Sequence, residues 1–125
     1  MSGQKHALVV DDNDVNRLLA ERLLAKLGWR VDTAEDGLAA LAWMRTQCAD
    51  LVLLDISMPG MSGDEVCRAA RAESLCAGSK LVAYTAHAMP EEKAQFLAAG
   101  FDGILTKPIS KSHMVDLLIS LGLDR

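Results

Sequence analysis

The sequence predicts an α/β fold, a single domain over residues 1–125 with a five-stranded parallel sheet and helices on both faces. Three observations predict it. Short apolar runs alternate five times with segments of helical period. The run Leu51-Val52-Leu53-Leu54 has no polar alternation, as a strand buried on both faces requires. Glycine, proline and capping residues punctuate the chain between elements. Repeated βα units of this kind wind into a parallel sheet.

The elements follow in order. His6 to Val10 is a short apolar run that ends at Asp11-Asp12-Asn13, and reads as a buried strand. Residues 14–27 place Val15, Leu18, Leu19, Leu23, Leu24 and Leu27 on one expected apolar helical face, with Asn13 or Asp14 as cap and Gly28 as stop. Arg30 to Ala34 alternates polar and apolar residues, as an edge strand does. Residues 37–48 carry Leu38, Leu41, Ala42 and Met44, a second helix. Leu51 to Asp55 is the central strand. Ser62 and Glu65 have capping-box spacing and open a third helix through Ala72. Leu81 to Thr85 is the fourth strand. Pro90, Glu91 and Glu92 suit a first helical turn, and that helix ends at Gly100. Asp102 to Leu105 is the last strand. Ser110 opens a final helix through Met114, Val115, Leu117, Leu118 and Leu121, stopped by Gly122.

Composition sets bounds on function. The chain has 125 residues, half of them hydrophobic, enough for one core without staples. A net charge of -4 and the lack of a basic stripe argue against nucleic-acid binding. No apolar run reaches the length of a membrane span, and the N-terminus lacks a secretory h-region, so a cytoplasmic domain without membrane contact is expected. Cys48, Cys67 and Cys76 are odd in number and lack C-x-x-C spacing, so they are expected as reduced thiols that pack as small hydrophobes. Trp29 and Trp43 are expected as packing residues, and His6 and His113 have no partners at metal spacing.

Ligands of parallel α/β sheets bind beyond the carboxyl ends of the strands. Asp11 and Asp12 stand after the first strand, Asp55 after the third, Thr85 after the fourth and Lys107 after the fifth. Crowded carboxylates need a countercharge to stay ionised. Oxygen donors suit a hard cation such as Mg²⁺, or another divalent ion such as Mn²⁺, which takes one or two carboxylates and completes its sphere with water and phosphate oxygens. Lys107 adds a fixed ammonium and Thr85 a hydroxyl. Together they describe a site for a phosphoryl group with Asp55 as nucleophile.

The chain resembles the receiver domain of bacterial two-component response regulators over nearly its whole length. The resemblance rests on Val9-Val10-Asp11-Asp12-Asn13, on Leu54-Asp55-Ile56-Ser57-Met58-Pro59-Gly60, on Thr85-Ala86, and on Gly100 through Pro108. Asp12-Asn13-Asp14-Val15-Asn16-Arg17, Thr85-Ala86-His87-Ala88-Met89 and Lys107-Pro108-Ile109 are similar to receivers of hybrid histidine kinases and phosphorelays. It implies a flavodoxin-like sheet of order 2-1-3-4-5. It further implies that Asp55 accepts a phosphoryl group from a phosphohistidine on a histidine kinase or histidine phosphotransfer protein, and that a downstream protein target reads the result. Asp12, Asp55 and the Ser57 backbone carbonyl would ligate Mg²⁺, with Asp11 acting mainly through a bound water. Thr85, followed by Ala86, and Lys107 would contact the phosphoryl group, and the Lys107-Pro108 peptide would be cis. His87, two residues beyond Thr85, reads first as a loop histidine in solvent; the functional alternative is that His87 and Ser57 flank the phosphoryl group and tune its hydrolysis. Most receivers carry Tyr or Phe three residues before the lysine. Here that residue is Ile104, so aromatic-threonine switching is expected to be altered. The start at Met1, close to the first strand, favours a stand-alone regulator over an excised domain.

Three other functions are weighed against this one. A haloacid-dehalogenase-type phosphatase needs an Asp two residues after its nucleophile, where this chain has Ser57. A flavin carrier needs a Ser/Thr/Gly-rich phosphate loop where this chain has Asp11-Asp12. A pseudo-receiver scaffold that is never phosphorylated would fit Ile104 but not the full set of acids, Thr85 and Lys107. The expectation is therefore a phosphoacceptor switch, which assists its own phosphorylation and dephosphorylation but is not an enzyme in the ordinary sense.

Overall fold

The computed structural model describes residues 4–86, 89–107 and 109–123. Ten elements alternate along the chain: β1 (His6–Val10), α1 (Asp14–Lys26), β2 (Arg30–Ala34), α2 (Gly37–Thr46), β3 (Leu51–Asp55), α3 (Gly63–Ala72), β4 (Lys80–Thr85), α4 (Pro90–Ala99), β5 (Gly103–Thr106) and α5 (Lys111–Ser120). The strands form one parallel sheet of order β2-β1-β3-β4-β5. This is the order that the resemblance implies.

The apolar runs account for the sheet. Every residue of β3 is buried, because β3 has a strand on each side and a helical layer on each face. Its side chains alternate between two cores. Val52 and Leu54 join Leu41 and Met44 of α2, Val66 and Ala70 of α3, and Phe96 of α4. Leu51 and Leu53 join Ala20 and Leu24 of α1 and Met114, Leu117 and Leu118 of α5. Each fully buried leucine contributes about 1.5–3 kcal/mol relative to an exposed one. β2 sits at the edge and buries little besides Ala34.

Capping follows the local sequence. The Asn13 side chain accepts from Asn16 N–H at 2.9 Å and starts α1. Glu65 Oε1 accepts from Ser62 N–H at 3.0 Å, the return arm of the expected capping box. Pro90 occupies the first turn of α4, and Gly100 closes that helix at φ +114°, a conformation natural to glycine.

Four expectations are corrected. On α1, Ala20 and Leu24 face the sheet, whereas Val15, Leu18 and Leu19 are 65%, 44% and 51% exposed. The helix carries two apolar stripes, and Ala20 and Leu24 of the other one join the core that holds Ala7 and Val9 of β1 and Leu51 and Leu53 of β3. On α2, Leu41 and Met44 are buried and Leu38 is exposed. β5 begins at Gly103 because the Asp102 carboxylate itself accepts from Leu81 N–H at 2.9 Å and from Arg71 at 2.9 Å. Finally, Cys48 and Cys76 form a disulfide with Cα atoms 5.4 Å apart, and only Cys67 stays a free, buried thiol. The two partners are 28 residues apart, and the fold brings together the connectors that carry them.

Candidate functional site

The register of the sheet assembles the site. β1 and β3 pair through Val10 and Leu54, so Asp11 and Asp55 leave their strands side by side. β4 and β5 pair through Thr85 and Thr106, and Lys107 follows at once. Lys107 N–H donates to the Thr85 carbonyl at 2.8 Å, one more rung that fixes the direction of the lysine.

Asp11, Asp12 and Asp55 each present a carboxylate oxygen within 4.8 Å of the others. Asp11 is fully buried, Asp55 is 2% exposed, and Asp12 is exposed. Asp11 Oδ1 accepts from Asn13 N–H at 2.9 Å, and Asp55 Oδ1 accepts from Ser57 N–H at 3.2 Å. Lys107 Nζ lies 2.9 Å from Asp55 Oδ1 and 3.7 Å from Asp11 Oδ2. The ammonium also stands 4.9 Å from the centroid of the Tyr84 ring, within cation–π reach.

Asp55 is held above the ordinary carboxylate range. Burial is the main cause. The Lys107 hydrogen bond opposes it, and the nearby Asp11 carboxylate adds to it. One ammonium is thus too little charge for two buried acids. Asp11 Oδ2 is buried and has no hydrogen-bond donor among the described residues. An orphaned buried carboxylate oxygen beside two further carboxylates is a donor set for a hard cation, and the residues fit Mg²⁺ on that ground.

Thr85 is buried at the end of β4, Ser57 is exposed in the loop after β3, and Ala86 is exposed just beyond Thr85. Ile104 lies partly buried against the core of the α2–α3–α4 face and pairs with Ala83. The expected roles of His87 and Pro108 fall outside the described residues.

Three further residues shape the site without having been given a role by sequence, although Arg17 stands in one of the motifs quoted above. Arg17 donates from Nη1 to the Asp11 carbonyl at 2.7 Å and pairs with Asp14, so it braces the acidic loop from α1. Gly63 opens α3 directly beneath the end of β3. A Cβ there would sit 2.9 Å from the Asp55 carbonyl carbon and inside contact distance of its oxygen. Tyr84, the one tyrosine of the chain, is buried below Lys107 with its phenol pushed up to about 12, chiefly by burial. A glycine at a helix start and an aromatic in an aliphatic strand were the available signals.

With this geometry in view, the sequence model of the family described as "Response regulator receiver domain" matches residues 7–119. The chain belongs to that family. Receivers of hybrid sensor histidine kinases are among its relatives. It is 43% identical over 115 residues to the sensor protein GacS of Pseudomonas syringae pv. syringae, an alignment covering 90% of this chain and 13% of that protein. It is 42% identical over 107 residues to the virulence sensor protein BvgS of Bordetella pertussis, covering 82% of this chain and 9% of the relative. The receiver therefore corresponds to a small part of these longer proteins.

Solved structures agree. The chemotaxis protein CheY4 of Vibrio cholerae is 30% identical with a TM-score of 0.87, over 94% of this chain and 98% of the other. The receiver domain of sensor histidine kinase PA1611 from Pseudomonas aeruginosa PAO1 is 30% identical with a TM-score of 0.84, over 94% and 97%. That structure has a magnesium ion coordinated in the active site cleft. The receiver described here is thus a domain of two-component signal transduction, with a fold of signalling proteins. Among its described residues no helix is long and apolar enough to cross a membrane.

Proposed function

We propose that this receiver is a phosphoacceptor switch in which Asp55 takes a phosphoryl group from a phosphohistidine on a histidine kinase or histidine phosphotransfer protein. The observation that carries the reading is the position of Lys107 Nζ between Asp55 and Asp11, at a strand edge where three carboxylates converge.

Asp12, Asp55 and the Ser57 carbonyl would hold Mg²⁺, with Asp11 acting through a water, and the ion would supply charge neutralisation to the incoming phosphoryl group. The chain's own residues do the rest. The Asp55 carboxylate oxygen not bonded to Lys107 attacks phosphorus in line. The Asp55 O–P bond forms as the N–P bond to the donor imidazole breaks, and the electron pair stays on that nitrogen. Lys107 leaves its ion pair with Asp55 to meet an equatorial phosphoryl oxygen. Thr85 hydrogen-bonds a second oxygen and reports the event to the downstream target. The exposed Val15, Leu18 and Leu19, on the helix that begins beside Asp12, offer the protein donor an apolar landing surface. A cytoplasmic location, where such donors carry their phosphohistidines, completes the reading.

Incubation with acetyl phosphate and Mg²⁺ followed by intact mass measurement tests it. Uptake of one phosphoryl group that is lost in Asp55→Asn is expected. Absence of uptake from acetyl phosphate and from a phosphohistidine donor would overturn the proposal in favour of an unphosphorylated scaffold.

A further inference from the structure

The end of the sheet opposite Asp55 holds a second chemically competent group. Cys48 lies in the connector entering β3, and Cys76 in the connector entering β4. Asp55 and Thr85 stand at the far ends of those same strands. We propose that Cys48 and Cys76 form a reversible thiol–disulfide site that exchanges with low-molecular-weight thiols and disulfides and clamps the end of α2 to the connector after α3.

Access comes first. Cys48 is exposed and Cys76 partly exposed, so a small thiol reaches the bridge. A recess of about 370 Å³ lies directly on it, lined by Cys48, Asp50, Cys76, Gly78 and Ser79 among others. Acceptors for the reduced state are close by. Cys76 Sγ lies 3.3 Å from the Gln47 carbonyl and 3.5 Å from the Met44 carbonyl, acceptors for a thiol proton at the end of α2. The Arg45 guanidinium and Glu73 carboxylate form a two-bond pair, at 3.0 and 2.9 Å, across the same two elements. That pair links the same two elements without involving either sulfur. Ser74 and Cys76 both have left-handed backbone, at φ +55° and +48°, a conformation that non-glycine residues adopt at a cost and that the bridge helps to hold. Cys67 stays out of the exchange, because it is buried in the core with its thiol pushed up to about 11.

The chemistry balances. The Cys48 thiolate attacks one sulfur of a disulfide RSSR, forms a mixed disulfide and releases RS⁻. The Cys76 thiol gives up its proton, and its sulfur attacks Cys48 Sγ and expels the second RS⁻. The two protons from the protein thiols end on two RSH. The protein pair is oxidised by two electrons and RSSR is reduced by two. Reduction by two thiols runs the same steps backward.

Closing a 28-residue separation restricts the unfolded chain, so the clamp stabilises the fold. The test equilibrates the 125-residue chain in buffers of varied reduced to oxidised glutathione, quenches with acid, alkylates under denaturing conditions and reads intact mass. The expected result is one cooperative transition between a form labelled at Cys67 alone and a form labelled at Cys48, Cys67 and Cys76. The thermal midpoint should fall by about 10 °C on reduction. It should not respond to reductant in Cys48→Ser, whose exposed position makes it the safer variant, or in Cys76→Ser. Acetyl phosphate labelling at Asp55 should be equal in both redox forms. A bridge that opens only on unfolding, a lasting glutathione adduct on Cys48 beside a free Cys76, or a thermal midpoint indifferent to reductant would each overturn the proposal.

Discussion

Lys107 Nζ and Asp55 Oδ1 are 2.9 Å apart although their strands, β5 and β3, are not neighbours. β4 lies between them, and the lysine reaches across its carboxyl end, passing over the Tyr84 ring. Asp55 is therefore both crowded by Asp11 and partly relieved by a cation from the far edge of the sheet.

Without metal, this arrangement makes Asp55 a burden on stability at neutral pH. Its folded value is raised, chiefly by burial, so the folded state binds the proton more tightly than the unfolded chain does. The stability that protonation confers is present below about pH 3.9, the ordinary aspartate value, and is lost as pH climbs through the raised folded value. In a chelator, Asp55→Asn is expected to raise the thermal midpoint at pH 7 by about 2–6 °C, the equivalent of about 1 kcal/mol. It should also flatten the fall in stability on the basic side of pH 4. Thermal unfolding across pH 4–8 checks both, and an unchanged slope in the variant would refute the assignment.

Magnesium should reverse that burden. A ligand that binds only the folded state adds about 2.7 kcal/mol at one hundred times its dissociation constant. The receiver is expected to gain thermal stability with MgCl₂ and lose the gain with EDTA. Asp12→Asn, at the exposed rim of the acidic cluster, should remove most of the response with little change in the metal-free protein. A full magnesium shift in Asp12→Asn would place the ion elsewhere.

Gly63 tests how closely the scaffold holds the acceptor. A methyl group at this position meets the Asp55 carbonyl, which is backbone and cannot rotate away. Gly63→Ala is expected to cost about 1–3 kcal/mol, the usual range for overpacking, and to slow acetyl phosphate labelling by displacing the end of β3. Denaturant titration and labelling rate measure the two effects. Stability equal to wild type would show that α3 can shift without consequence.

The sequence disclosed what depends on local pattern and withheld what depends on packing between distant segments. The inner strands could be read from apolar runs, β2 from its polar and apolar alternation, and the acids, Thr85 and Lys107 from their places at strand ends. The buried face of α1 is not legible in the sequence because Val15, Leu18 and Leu19 share the helical period of the buried stripe, and only docking on the sheet decides which stripe turns inward. The Cys48–Cys76 bridge had no local signature, since two separate connectors meet there. Gly63 looked like a helix start, and its contact with the Asp55 carbonyl exists only once α3 lies beneath β3.

The exposed stripe on α1 leads to a separate expectation. Leu18→Asp should leave acetyl phosphate labelling unchanged, because the side chain is 44% exposed and does not belong to the core. Transfer from a phosphohistidine protein should fall about tenfold or more, as loss of roughly 1.4 kcal/mol or more of apolar contact implies. Equal loss with both donors would mean that the substitution disturbs the site and not a docking surface.

Ile104 governs the last expectation. It pairs with Ala83 on β4, two residues before Thr85, and packs partly buried against the core that includes Phe96 of α4 and Phe101. The resemblance to receivers implies an aromatic ring at this place that turns inward as the threonine moves toward the phosphoryl group. An isoleucine has no ring to turn. Its branched side chain has few rotamers, and it fills its share of the core without a hydroxyl that must find a partner. Movement of Thr85 on phosphorylation therefore lacks its usual follower, and α4 should respond little. Hydrogen exchange with and without a beryllofluoride phosphoryl mimic is expected to show protection gained around Asp55, Thr85 and Lys107, with residues 89–100 nearly unchanged. Ile104→Tyr should enlarge the response in α4 while leaving phosphoryl uptake at Asp55 intact, because Ile104 is not one of the groups that converge on the site. A large rearrangement of residues 89–100 in the unsubstituted protein would show that the signal leaves Thr85 by a route independent of Ile104.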